Sequence, residues 1–455
     1  EIIFVGKKKN IKISLNTVVC RVCREIGHTA GFVGTTYLDC PNKPCYLCKE
    51  VGHTTATCPH RAENQVGAPV FASSKQTLLH ELFTAQVCPR AHTPSQFSKY
   101  PFPLWKRAKH RIVVEKEVHS RRISVLEWHP LLPHLVISGD KKGEIGLLDF
   151  TRPNEVRVIT TTHHYLVNAM KFHSLDQNTL YTASADGTIK ITDLDTELVK
   201  QRVVDLNPRG FVCEKEWNMF YSLERLEGCV IAGDCWGSLH RFDDRAHEYM
   251  GEPLQCHKKG KKLGHLHVHP LASHLFLSSG NDWCTKLWDF RMMTAPLATV
   301  PHPRLVSSAF FSPRTGNRIL TTCLDNRIRV WDTLFSFCNE APREIVHSQD
   351  FNRYLTPFRA VWDPKDPFER TVMCGRYISD EFGDRALHPI DVFDCVTGGL
   401  IACLVDPVCP RICPVNTFHP SMDLIATGSS RCIDIWAPLG QADEDGVVAA
   451  GGAPR

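Results

Sequence analysis

From about residue 119 onward one pattern recurs. A strand-like run ends in a His-Pro or Ser-Pro turn, a second apolar strand follows, then a small-residue turn, then a third strand closing on an acidic residue. VLEWHPLLPHLVISGDKKGEIGLLD, MKFHSLDQNTLYTASADGTIKITD, LHVHPLASHLFLSSGNDWCTKLWD and AFFSPRTGNRILTTCLDNRIRVWD are four copies. The closing aspartates are Asp149, Asp193, Asp243, Asp289, Asp332 and Asp394, spaced 44, 50, 46, 43 and 62 residues apart, and a last copy ends IDIWAP at Trp436. A unit this short forms a small sheet that cannot bury both faces alone, so successive units must stack. A single all-β sandwich does not explain the period.

A repeat of ~40–45 residues with a Trp-Asp ending marks WD40 blades. Seven copies predict an all-β fold, a seven-bladed WD40 β-propeller over residues 113–438. The 62-residue interval exceeds the first by 18 residues, and the surplus falls in FSFCNEAPREIVHSQDFNRYLTPF and GRYISDEFGDRALHP. Surplus in a repeat protein maps to loops, commonly on the binding face. The tip from Gln349 to Tyr354 carries Phe351 and Tyr354, large rings that a plain surface loop has no reason to expose.

Ahead of the propeller lies a cysteine cluster. Of 20 cysteines, Cys20, Cys23, Cys40, Cys45, Cys48 and Cys58 crowd the start. Cys45, Cys48, His53 and Cys58 have the spacing C-x2-C-x4-H-x4-C of a CCHC zinc knuckle, and three thiolates with one imidazole close a tetrahedral zinc site. So short a segment has almost no core, and the metal would supply its folding free energy. Cys20, Cys23 and His28 repeat the opening, but Val33 stands where the final ligand belongs. Cys40 is the available fourth ligand over a longer loop, and the spacing leaves open whether this copy holds a metal. Knuckles bind single-stranded nucleic acid with an aromatic stacked on a base, here Tyr46, or serve as structural or protein-binding modules; both readings stand. The scattered cysteines read as buried small hydrophobes in a reducing compartment.

Composition sets outer limits. Hydrophobic residues are 43% and charged residues 22%, as in a globular chain, and the formal net charge of +4 permits an anionic partner without demanding one. The chain does not begin with Met and is expected to lack its natural start. It shows no secretory signal pattern and no apolar run of ~18 residues, so no membrane span is expected. Basic residues cluster: Lys106, Arg107, Lys109 and Arg111; Arg121 and Arg122; Lys141 and Lys142; Lys258, Lys259, Lys261 and Lys262. If the loop groups share one face of the disc, they form a phosphate-binding ring. Residues 73–87 predict a short helix with a Ser73/Gln76 capping box and an apolar face of Leu78, Leu79, Leu82 and Phe83. The chain thus divides into a basic segment 1–19, the knuckle region 20–62, a helix and linker 63–112 expected to bind a partner, the propeller 113–438, and a tail 439–455 expected to be flexible. No G-x-S-x-G, P-loop or H-E-x-x-H motif occurs, so binding rather than catalysis is expected.

HSRRISVLEWHP, SGDKKGEIGLLDF, DFNRYLTPFRAVWDP and the GRY at 375–377 resemble the damage-specific DNA-binding protein 2 family, small subunits of the UV-damaged-DNA-binding complex. A zinc knuckle before the propeller is similar to the plant and green-algal type. The resemblance runs from about residue 20 to 438. It implies a nuclear protein of nucleotide excision repair that binds damaged duplex DNA, with nucleosomes as a further partner. It implies that a hairpin tip, here Phe351, Asn352 and Arg353 with Tyr354 beside them, enters the minor groove and replaces a flipped-out damaged dinucleotide. Arg376 and Tyr377 resemble pocket residues, and Lys141, Lys142, Lys261 and Lys262 resemble backbone contacts. It further implies an adaptor, damaged-DNA-binding protein 1, and through it the cullin-4 ubiquitin ligase. The matching signature is Trp288-Asp289-Phe290-Arg291, with a looser copy at Asp243 and Arg245, and the segment carrying Leu78, Leu82 and Phe83 resembles the part that inserts into the adaptor. Two other functions compete: a WD40 scaffold recognising protein such as histone, and an RNA-binding protein led by its knuckles.

Overall fold

The computed structural model describes residues within 20–53 and 110–438, with interruptions of which the longest are 333–340, 350–355 and 378–389. Cys48, Cys58, Leu78, Leu82, Phe83, Phe351, Asn352, Arg353 and Tyr354 lie outside the described residues. The chain forms two compact units, residues 1–67 and 68–455.

The second unit is the predicted propeller. Seven four-stranded antiparallel sheets follow one another, each with its strands in sequence order apart from the last. The first blade comprises Ile123–Trp128, Leu135–Asp140, Ile145–Asp149 and Val156–Ile159. Second strands such as Leu135–Asp140, Thr179–Ser184 and Cys229–Asp234 are buried throughout. They are covered by a blade on each side, so their apolar residues run on without alternation. The strand His110–Glu117 alternates half-buried with exposed residues, as an outer strand should.

Closure of the ring follows from that strand. The last blade is built from Val415–Phe418, Ile425–Ser429 and Cys432–Pro438, and its fourth strand is His110–Glu117 from the start of the propeller, with Ile112 opposite Trp436. No blade is left with a bare junction between chain ends. The core is correspondingly divided into seven clusters, each at the seam between two neighbouring blades. Leu226, Cys229 and Ile231 meet Leu263, Leu266 and Phe276 at one seam, and Ile433 and Ile435 meet Ile123 and Leu126 where the last blade joins the first. At the former seam Gly233 is required, since a Cβ there would lie 2.4 Å from Cδ2 of Leu263. Several of the scattered cysteines that the structure describes are buried in these seams, among them Cys229, Cys256, Cys374 and Cys395.

The Trp-Asp endings have a structural duty. In the fourth blade Trp288 donates its indole N–H to Ser278 Oγ at 2.9 Å, His257 Nε2 lies 2.7 Å from the same hydroxyl, and His257 Nδ1 lies 2.8 Å from Asp282 Oδ1. This chain fixes the turn between the second and third strands to the loop that enters the blade. The two loop types therefore leave the blade together, at one rim.

Candidate nucleic-acid interface and metal centre

Strand direction decides what shares a face. In every blade the start of the first strand, the end of the second, the start of the third and the end of the fourth lie at one rim, as the pairings Ile123↔Asp140 and Ile145↔Ile159 require. At this rim are Arg121, Arg122, Lys141, Lys142, the loop Lys258–Lys262, Arg304, Arg376, Tyr377 and both ends of the segment 350–355. The groups at Arg121, Lys141 and Lys258, seen separately in the sequence, thus stand on one face, whereas Arg111, at the start of a fourth strand, lies at the other rim and Lys106, Arg107 and Lys109 lie outside the described residues. Asp243, Arg245, Asp289 and Arg291 close third strands and lie on the opposite face.

The lysines differ in setting. Lys141 and Lys261 are exposed. Lys142 Nζ sits 2.6 Å from Glu144, whose hydrogen bond and charge raise its pKa. Lys262 is half-buried with its ammonium 4.4 Å from the centre of the Tyr221 ring, and burial pushes its pKa down, helped by the nearby Arg359.

The segment 350–355 starts from a rigid base. His347 donates its backbone N–H to the Asn326 carbonyl, Gln349 donates its own to Asn326 Oδ1 at 3.0 Å, and the Gln349 side chain donates to the carbonyls of Cys323 and Arg327 at 2.7 and 3.1 Å. On the far side Phe358 is buried in the seam between the fifth and sixth blades. Arg376, which the resemblance likens to a pocket residue, is buried in this structure. It is 2% exposed, with Nε 3.1 Å from Asp391 Oδ2, and that same oxygen lies 3.3 Å from His347 Nε2. A buried carboxylate needs a buried cation, and the strand that follows the 378–389 stretch supplies Asp391. Arg376 therefore steadies the base of the 350–355 segment from behind. Tyr377 is half-buried against the cluster containing Phe358.

Aromatic residues on this face were not singled out by the sequence. Tyr165 and Trp217 meet edge to face with centroids 5.6 Å apart. Trp236 is held by a 2.7 Å hydrogen bond from its indole N–H to Asn218. Trp283 is 55% exposed. Aligning the repeats offers the missing signal, because Trp283 stands at the turn position held by Gly187 and Gly237 in two other blades.

On the opposite face Arg291 forms a two-pronged pair with Asp289, Nε to Oδ1 at 3.0 Å and Nη2 to Oδ2 at 2.7 Å, which holds Asp289 down to about 2. The guanidinium remains mostly exposed, as do its neighbours Met292 and Leu297 and, on the same face, Leu131 and Leu271. Asp243 accepts the backbone N–H of exposed Arg245 at 2.8 Å.

In the first unit, the ligands of the copy with the irregular spacing converge. Cys20 and Cys40 sulfurs are 3.8 Å apart, His28 Nε2 is 3.4 Å from Cys23 Sγ and 3.2 Å from Cys40 Sγ, and all four donor atoms lie within 4.8 Å of one another. A zinc tetrahedron with Zn–S of ~2.3 Å and Zn–N of ~2.0 Å has edges of about 3.5–3.8 Å, so these residues fit the ion. The long spacing to Cys40 is taken up by a two-stranded hairpin, Gly31–Val33 with Thr36–Leu38, which returns the chain to its start. The backbone N–H groups of Val22 and Cys23 both point at the Cys20 sulfur at 3.4 Å, as suits a thiolate ligand. Cys45 is buried and His53 half-buried; their partners in spacing, Cys48 and Cys58, lie outside the described residues. Cys409, Cys413 and Asp434 form another buried group, but Arg411 already places its cation on Asp434 at 3.3 Å and leaves no need for a metal.

Comparison with known proteins agrees with the fold. The WD domain, G-beta repeat family matches residues 155–193 and 295–332. DNA damage-binding protein 2 of Oryza sativa subsp. japonica is 43% identical over 444 residues, 96% of this chain and 74% of the relative. Protein DAMAGED DNA-BINDING 2 of Arabidopsis thaliana is 44% identical over 436 residues, 95% of this chain and 77% of the relative. The chain belongs to the DNA damage-binding protein 2 family. The Danio rerio member of this family is 30% identical over 325 residues, 70% of this chain. The family resemblance read from HSRRISVLEWHP and DFNRYLTPFRAVWDP is thereby shown, and the propeller that carries those motifs is the fold of this family member.

Proposed function

We propose that this chain recognises UV-damaged duplex DNA with the basic face of its propeller and presents the opposite face to a ubiquitin-ligase adaptor. The observation that carries the reading is the sorting of residues between the two rims: lysines, arginines, exposed aromatics and the anchored base of the 350–355 segment on one, the Asp289–Arg291 pair with exposed Met292, Leu297, Leu131 and Leu271 on the other. Exposed lysines bind phosphate without regard to sequence. Phe351 and its neighbours, on a segment anchored through Gln349 and His347, act as a wedge at a step whose stacking is already weakened by damage. Selectivity then comes from how readily the lesion unstacks. The names of the plant relatives support a damaged-DNA ligand, and they motivate the same proposal for repair in the nucleus. Zinc held by Cys20, Cys23, His28 and Cys40 supplies a folding constraint; Cys45, Cys48, His53 and Cys58 are the second set.

The test is a competition between UV-irradiated and intact duplex at fixed salt. Damaged DNA should win. Phe351→Ala should lower damaged-DNA affinity by roughly one to two orders of magnitude, since base–aromatic stacking is worth ~1–3 kcal/mol, and should leave intact DNA nearly unaffected. Lys261→Glu with Lys262→Glu should lower both affinities and flatten the salt dependence. Equal binding of the two duplexes by the wild-type chain would overturn lesion recognition.

For the adaptor, damaged-DNA-binding protein 1 with its cullin-4 ligase, Arg291→Ala should reduce co-purification while the propeller keeps its unfolding midpoint. An exposed, pre-aligned arginine amid exposed aliphatics suits an interface centre. Undiminished co-purification of the Arg245→Ala, Arg291→Ala double variant would remove this face from the interface.

A further inference from the structure

Trp283 stands in a conformation that its side chain disfavours. Its φ is +68°, in the left-handed region, while the corresponding last turn residue is Gly187 at +80°, Gly237 at +84° and Asn326 at +61° in other blades. Glycine meets no Cβ penalty there and asparagine tolerates it, whereas a bulky residue is an outlier. The ring gives little back by burial, being 55% exposed. Strain that the fold neither needs nor relieves accumulates where a side chain is wanted for another purpose.

The surroundings say what for. The turn is tied to the lysine loop: Asp282 accepts the backbone N–H of Lys258 at 3.1 Å and pairs with His257, and Asn281 donates its N–H to the Lys262 carbonyl at 2.9 Å. The Trp283 carbonyl is also taken, by the N–H of His302 at 2.7 Å. An exposed indole on a turn held by these bonds thus sits beside a loop bearing Lys258, Lys259, Lys261 and Lys262. The geometry points to Trp283 as a stacking site for an unpaired nucleobase whose flanking phosphates lie on that lysine loop. An indole face takes any base, and the adjacent ammonium groups select a nucleotide over a free aromatic. Bases within an intact duplex are already stacked, so the site reads bases released by a lesion. This rests on the DNA-binding reading proposed above and adds a residue and a ligand class to it.

Trp283→Asn, the residue type at the matching turn of the next blade, tests it in the full chain. The variant should lose about 5- to 150-fold in affinity for damaged duplex and for single-stranded oligodeoxynucleotide, with intact-duplex binding and the slope of affinity against salt unchanged. Trp283→Phe should keep most of the affinity. The urea midpoint of both variants separates a binding role from a structural one: an affinity loss at a midpoint that is unchanged or, as relief of the strain predicts for Trp283→Asn, raised supports stacking, and a loss that follows a lowered midpoint overturns it. Trp283→Asn binding as tightly as wild type overturns the inference and leaves the lysine-based reading intact. Absence of DNA binding by the wild-type chain overturns both.

Discussion

A strong chelator should unfold the region around Cys20–Cys45 and leave the propeller transition where it was. The core of this region consists of Cys20, Ala30 and Cys40, with Cys23 packed against them, so its inside is made largely of the proposed ligands themselves. Three thiols and an imidazole held within hydrogen-bonding distance have no hydrophobic reason to stay together once the ion is gone. Apparent binding free energies of structural zinc run to about 10–16 kcal/mol near neutral pH, far more than so small an apolar cluster can replace. The propeller's seven seams contain none of the proposed ligands. Amide hydrogen exchange with and without chelator should show protection lost at Cys20, Arg24 and Lys43, whose backbone N–H groups are bonded within the region, and retained at blade strands such as Leu135–Asp140. Zinc released should be matched by a rise in reactive thiols. Cys40→Ser should mimic the chelator locally. Unchanged exchange after complete chelation, or no zinc in protein purified without chelator, would sink the proposed centre.

The second large effect is a loss of stability on mild acidification. Burial pushes His302 down to about 4, with Arg329 nearby adding to it; the ring is 6% exposed and spends its nitrogens on Thr321 and the Val300 carbonyl. His267, on the first strand of the fourth blade, is likewise pushed by burial to about 4 against the opposing pull of Glu224. His265 and His163 are moved in the same direction by burial. An unfolded chain protonates histidine near pH 6.5, so between pH 6.5 and 4 the unfolded state binds protons that the native state refuses. Their neutral forms therefore impose no penalty above pH 6.5, and stability falls as pH drops from there toward 4. At pH 5 the loss is about 2 kcal/mol for each of His302 and His267, about 4 kcal/mol together. Glu127, Asp363 and Asp434, raised by burial, act oppositely and regain part of this as they protonate. Asp186 and Asp282 are depressed, and what they contribute is lost only below the ordinary carboxylate range. Urea midpoints at pH 7, 6 and 5 should fall in that order, and His302→Gln should shrink the drop by about half of the paired loss. A pH-independent midpoint, or an identical drop in His302→Gln, would rule the mechanism out.

What could be read from the sequence alone was what repeats and what is local. The aspartate spacing determined a ring of blades, because a four-stranded unit of that length has no other way to cover its two faces. The position of each lysine relative to a turn was legible too. Cys20, Cys23 and His28 were recognisable as half a site. Tertiary structure decided the rest. The fourth ligand of that site is set by a hairpin whose only signature is a longer gap before Cys40. Arg376 resembles a pocket residue in the sequence, and its burial against Asp391 is visible only in the structure, since an ion pair between a strand end and a neighbouring strand leaves no periodic mark. Trp283 looks like one more aromatic until its backbone angle is known. That the lysine groups, the base of the 350–355 segment and Trp283 share a rim follows from strand direction and ring closure, which set which turns of different blades come together. Periodicity encodes the burial of each strand one residue at a time, whereas a binding face is an arrangement among loops far apart in the chain, and only the closed ring brings them side by side.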